Sequence, residues 1–136
     1  MFRVFIICSL LLPAVSYAEL SITDAWIRSL PPSVPMRAGY LTIHNPDPES
    51  LTIVELKSAA FTRVEIHKSI ERDGTIRMER VPRLTISANG TVELAPGGLH
   101  LMMIQPVNPI KQNDIIEVTI IFDDGREQTL EMTVKR

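Results

Sequence analysis

Four residues in this chain could act together on a metal ion: His67, Met78, His100 and Met102, in the pattern His-x10-Met-x21-His-x-Met. Two imidazoles and two thioethers, with no thiol among them, make a donor set suited to cuprous copper. Thioether sulfur is soft and uncharged, so it favours Cu(I) over zinc, calcium or magnesium. Taken singly, each residue has a plainer reading. A methionine at strand spacing is more often core filler than ligand, and an isolated exposed histidine is usually only solvated. The combination at these offsets is what points to metal chemistry.

The spacing dictates how such residues could meet. In His100-Leu101-Met102 the ligands are i and i+2, which share one face of a strand about 7 Å apart. Leu101 and Met103 then face the opposite way, into a core. Pro96-Gly97-Gly98 just before them permits a sharp turn and an open approach. His67 and Met78 flank Asp73-Gly74, a dipeptide suited to a two-residue hairpin. In that register Ser69 faces Met78 and His67 lies diagonal to it, about 7–8 Å away. The same register puts Arg77 and Glu79 on the side of Ile66, in conflict with a core there unless a bulge or a longer loop intervenes.

The elements that must position these residues read as all-β. Ten prolines and short alternating runs argue against long helices. Strands are expected at Ile22–Arg28, Ala38–His44, Leu51–Lys57, Arg63–Ser69, Thr75–Val81, Thr91–Leu94, Leu99–Ile104, Ile115–Phe122 and Gln128–Val134. Turn residues separate them, and eight or nine short strands suggest a β-sandwich or barrel. Leu30 to Met36 reads as an extended, proline-rich loop. The core is expected at Ile22, Trp26, Leu41, Ile43, Leu51, Ile53, Val64, Ile66, Ile116, Val118 and Ile120, with β-branched residues suited to a half-buried pleat.

The chain has 136 residues, enough for one domain. Its first eighteen read as a secretory signal peptide: Arg3, an apolar run from Val4 to Leu12, and small residues at Ser16 and Ala18. Cleavage after Ala18 leaves a domain of residues 19–136. Cys8, the sole cysteine, lies inside the apolar run without the small-residue approach of a lipidation site. The exported domain therefore has no thiol, which excludes a disulfide framework and a blue-copper centre, whose copper needs a thiolate. Thirteen basic residues against sixteen acidic ones, with no basic stripe, argue against nucleic acid as a partner. No second apolar segment is long enough for stable membrane insertion.

The chain resembles the periplasmic copper chaperones of the PCuAC type. His67, Met78, His100 and Met102 match that family's ligand motif at every position. The flanks match as well: Val64-Glu65-Ile66-His67, Leu94-Ala95-Pro96-Gly97-Gly98-Leu99-His100-Leu101-Met102, and Gly39-Tyr40-Leu41-Thr42-Ile43-His44-Asn45. The resemblance implies a cupredoxin-like β-sandwich with one exposed Cu(I) site. It also implies delivery of copper for cytochrome c oxidase assembly, to an oxidase subunit or a thioredoxin-like copper-insertion protein. Some relatives carry a Met/His-rich tail, and this chain ends at Lys135-Arg136. His44 lies outside the motif and reads as structural or solvated. Met103 has core parity, and Met36 in the proline loop is a spare thioether.

The expectation is thus an exported Cu(I) carrier, not an enzyme, since no catalytic triad, carboxylate pair or phosphate loop stands out. A copper-sequestering protein without a dedicated acceptor would use the same ligands, and a plain interaction sandwich would make them accidental. Imidazole must be neutral to ligate, so Cu(I) affinity should fall at acid pH, near the ordinary histidine value of about 6.5.

Overall fold

The computed structural model describes residues 12–13 and 18–136. The expected signal peptide, with Cys8, lies for the most part outside the described residues. Ten strands are present: β1 Ser21–Arg28, β2 Met36–His44, β3 Leu51–Lys57, β4 Phe61–Arg72, β5 Thr75–Arg80, β6 Leu84–Ile86, β7 Thr91–Leu94, β8 Leu99–Pro106, β9 Ile115–Phe122 and β10 Glu127–Lys135. The described residues contain no helix.

The strands run β5-β4-β8-β2-β1-β10-β9-β3-β6, with β7 also on β2. A bridge between Leu56 of β3 and Val64 of β4 closes the path. The all-β sandwich is therefore a flattened barrel. The β1–β10 ladder is parallel and ties the two terminal strands together, while the other ladders are antiparallel. Alternation drives the packing. In β9, Ile116, Val118, Ile120 and Phe122 are buried while Ile115 is exposed. Most of the expected core is found there, from Leu41 and Ile43 through Ile120.

Trp26 and Ile22 depart from expectation. Trp26 is only half-buried, and Ile27 takes the fully buried place instead. The β1–β2 register shifts between Thr23 and Trp26, and Asp24 adopts a φ of 52°. A bulge adds one residue and so reverses which residues face inward. Ile22, before the bulge, is partly buried at the margin of the core. Trp26 instead packs on Tyr40, with ring centroids 4.7 Å apart.

Two more elements differ from the sequence reading. β6 was not anticipated. It is held by the buried Asn45 amide, which donates to the carbonyls of Glu49, Ile86 and Ser87. The proline-rich loop is not simply extended: Val34 N bonds Pro31 O in a turn. Arg37, 2 % exposed, gathers it from beneath, donating to the carbonyls of Leu30, Pro31, Val34 and Met36. Burial pushes this guanidinium below its ordinary pKa.

Candidate metal centre

Strands β4 and β8 form the floor of the site. His67 sits directly opposite His100, and Glu65 directly opposite Met102. All four point away from the core, because Ile66, Leu101 and Met103 occupy the other face and are buried. The two imidazole centroids are 6.2 Å apart. An imidazole-bound ion lies about 2 Å from its nitrogen, hence about 3 Å from the ring centre. Two rings whose centres stand about twice that distance apart leave room for one ion between them.

The hydrogen bonds decide which nitrogens are available. His67 Nε2 is 2.7 Å from Glu65 Oε2. A carboxylate only accepts, so Nε2 carries the proton and Nδ1 carries the lone pair. That Nδ1 is buried and has no hydrogen-bond partner. His100 is tied by its other nitrogen: Nδ1 donates to Gly98 O at 3.1 Å, leaving Nε2 as the lone-pair donor. Each ring thus has one nitrogen anchored and one presented. A buried unpaired lone pair costs free energy unless a ligand or proton meets it, and a metal ion is such a ligand.

The hairpin at Asp73-Gly74 brings Met78 into place. Asp73 and Gly74 have φ of 51° and 74°, the two-residue turn that the sequence suggested. Ser69 pairs with Met78 and His67 with Arg80, so His67 and Met78 are diagonal as expected. No bulge is needed, because β5 is exposed throughout. The far end of β4 projects beyond the core, and Arg77 and Glu79 meet solvent rather than Ile66. Ser69 Oγ donates to Met78 Sδ at 3.5 Å, which orients the thioether without occupying both its lone pairs. On the other side, Ala38 faces Met102 across the β2–β8 ladder, and its small side chain leaves Met102 room to turn.

The site is half-sunk rather than simply exposed. His100 is 5 % exposed and Met78 54 %. A groove of about 600 Å³ leads to it, walled by Tyr40 and Arg28 on one side and Ile76 and Met78 on the other, with His100 at its base. Among the described residues, no group of three or more His, Cys, Asp or Glu is placed to hold a metal ion.

Glu65 is the functional residue that the ligand pattern missed. Its carboxyl is held below the ordinary range chiefly by the hydrogen bond from His67. Arg63 and Arg80 add to this and burial opposes it. Arg63 Nε lies 2.9 Å and Arg80 Nε 3.8 Å from its Oε1. The i, i+2 spacing of Glu65 and His67 was the available signal, since it is the spacing that links His100 and Met102. The remaining candidates are placed elsewhere. His44 is at the far end of β2, with Nδ1 3.0 Å from Thr91 Oγ1. Met103 is fully buried. Met36 is 44 % exposed and faces Ile104, two pairs along from Ala38 and Met102.

The chain belongs to the LpqE-like family, whose profile, described as that of putative LpqE-like lipoproteins, matches residues 20–134. Its resemblance to PCuAC-type proteins is upheld by solved structures. The solution structure of the CuI form of DR1885 from Deinococcus radiodurans is 30 % identical, with a TM-score of 0.67, covering 82 % of this chain and 74 % of that one. The copper-bound PCuAC domain from PmoF2 superposes with a TM-score of 0.73 over 88 % of this chain and 95 % of its own, at 20 % identity, and so supports the fold alone. The RP573 protein of Rickettsia prowazekii is 29 % identical over 128 residues, 91 % of this chain and 70 % of that protein. A lipoprotein-like family is one of exported proteins, in keeping with a location outside the cytoplasm.

Proposed function

We propose that this protein is a periplasmic copper chaperone that binds one Cu(I) through His67, Met78, His100 and Met102 and passes it to an acceptor. The observation that carries the reading is the pair of facing imidazoles, anchored through opposite nitrogens, with a thioether on the neighbouring strand and another two residues along. Soft neutral sulfur and neutral nitrogen suit the monovalent ion. Thiolates bind it more tightly, so an acceptor with cysteines can take it by ligand exchange. Thioethers also persist in an oxidising compartment that makes thiols unreliable. The protein acts as a carrier, not an enzyme. Delivery serves cytochrome c oxidase assembly, to an oxidase subunit or through a thioredoxin-like copper-insertion protein.

Anaerobic titration should give one Cu(I) per chain, and X-ray absorption should count two nitrogen and two sulfur neighbours. His100→Ala and Met102→Ala should each weaken binding at least tenfold. Uptake that survives both substitutions would overturn the assignment. Export as a free protein is tested by intact mass: the mature chain should begin at Glu19, whereas a lipid-anchored form would begin at Cys8.

A further inference from the structure

The hydrogen bonds at the ligand side chains differ in kind. Glu65 bonds His67 at Nε2, and the Gly98 carbonyl bonds His100 at Nδ1. Each of these is the nitrogen that is not offered to the ion. Such a bond strengthens a ligand, because an acceptor at the far nitrogen raises the basicity of the free one. Ser69 does the reverse. Its hydroxyl donates to Met78 Sδ itself, at 3.5 Å, and a sulfur that shares its density with a proton has less for copper. A thioether is a weak acceptor and has no charge with which to make up the loss.

Met78 is also the ligand with the most freedom. His100 and Met102 stand on β8, which is flanked by β4 and β2, and His67 stands on β4, which is flanked by β8 and β5. Among the described residues β5 ends the strand order, laddered to β4 alone, and all of it is exposed. Ser69, by contrast, is pinned at the site. Its amide donates to Gly98 O at 3.2 Å, the same oxygen that accepts from His100 Nδ1. In the β4–β5 ladder Ser69 is paired directly with Met78, while His67 is diagonal to it. A sulfur that lets go of the ion therefore has the Ser69 hydroxyl as its neighbour across the strands.

We propose that Ser69 is a positioning residue for copper release: its hydroxyl weakens the bond between Met78 and the ion and receives the sulfur when that bond breaks, so that Met78 is the first ligand to leave. The inference rests on the Cu(I) reading above and adds the order in which the site opens. Transfer to a dithiol then begins at Met78. The copper–thioether bond breaks, a copper–thiolate bond forms in its place, the thiol proton passes to buffer, and the ion stays monovalent. A hydroxyl that served only to aim the thioether would act with the opposite sign: its loss would weaken binding and hasten transfer.

The test mixes copper-loaded parent and Ser69→Ala anaerobically with excess dithiothreitol and follows the rate at which Cu(I) leaves the protein. Transfer from Ser69→Ala should be several-fold slower, with Cu(I) affinity equal or higher. Ser69→Thr, which keeps a hydroxyl on a residue suited to a strand, should restore the parent rate. In a Met78→Ala background the Ser69→Ala change should have no effect, because the sulfur on which the hydroxyl acts is gone; two changes that act through one contact do not add. In the metal-free protein Ser69→Ala should move the Met78 methyl signal in the NMR spectrum and leave that of the fully buried Met132. Faster transfer, an unchanged rate, or an effect that survives Met78→Ala would overturn the inference. A parent protein that takes up no Cu(I) overturns the Cu(I) reading and this one with it, whereas normal uptake with an unchanged transfer rate overturns this one alone.

Discussion

Glu65 acts on the metal site without belonging to its ligand set. It fixes the proton of His67 on Nε2 and so presents Nδ1. Glu65→Gln keeps an acceptor at the same place but removes the charge and its attraction to Arg63 and Arg80. Outer partners of this kind are worth about 10–100-fold in metal affinity, so Cu(I) affinity in competition with a chromogenic chelator should drop by about tenfold, with one ion still bound. The same carboxylate shapes acid stability. Its folded pKa lies below the ordinary glutamate value of 4.5, so its contribution is complete above that value and is lost as pH falls through the lower folded one. Between pH 6 and pH 3 the urea midpoint of Glu65→Gln should therefore fall less than that of the parent. Methionines separate ligation from packing. Met78→Ala, at a residue 54 % exposed, should change stability by under about 0.5 kcal/mol and still weaken Cu(I) binding. Met103→Ala, at a fully buried residue, should cost about 2–5 kcal/mol without removing a ligand.

Elements show where the sequence was readable and where it was not. The β4–β5 hairpin was legible because Asp73-Gly74 admits little but a tight turn, and the turn sets the register of Met78 against Ser69. What misled was the assumption that a core underlies the whole of β4; the strand overhangs, so a polar β5 conflicts with nothing. The bulge in β1 left a fainter trace. Perfect alternation would place Ile22, Asp24 and Trp26 together on the inner face, and an aspartate there is the misfit that the bulge removes. Asp24 tolerates φ near 52° better than most residues. Asp24→Val should accordingly cost about 1–2 kcal/mol, while Asp24→Gly should be near neutral, both read from urea midpoints. The short β6 and the Arg37 clamp had no local signature. The Asn45 amide that holds β6 reaches the carbonyls of Ile86 and Ser87, which tertiary structure alone brings near, whereas Arg37 gathers carbonyls within seven residues of itself, in a loop whose fold its residue types do not announce.

At the scale of the molecule, the site is built on a closed barrel whose two ends of chain are joined by the parallel β1–β10 ladder. Met132 and Val134 of β10 are fully buried, and β1 in turn flanks β2, which supports β8 and Met102. His67, His100 and Met102 are therefore in register whenever the barrel is closed, with or without an ion. Binding to such a preformed site should stabilise the fold without changing the surface exposed on unfolding. With free Cu(I) buffered at 100 times its dissociation constant, the gain should be about 2.7 kcal/mol. The urea midpoint should rise while the m-value stays constant, because m follows the area exposed. A rise in m on loading would mean that the hairpin orders only when the ion arrives. Chemical-shift changes would then extend along β5 and distal β4 instead of remaining at the four ligands and Glu65.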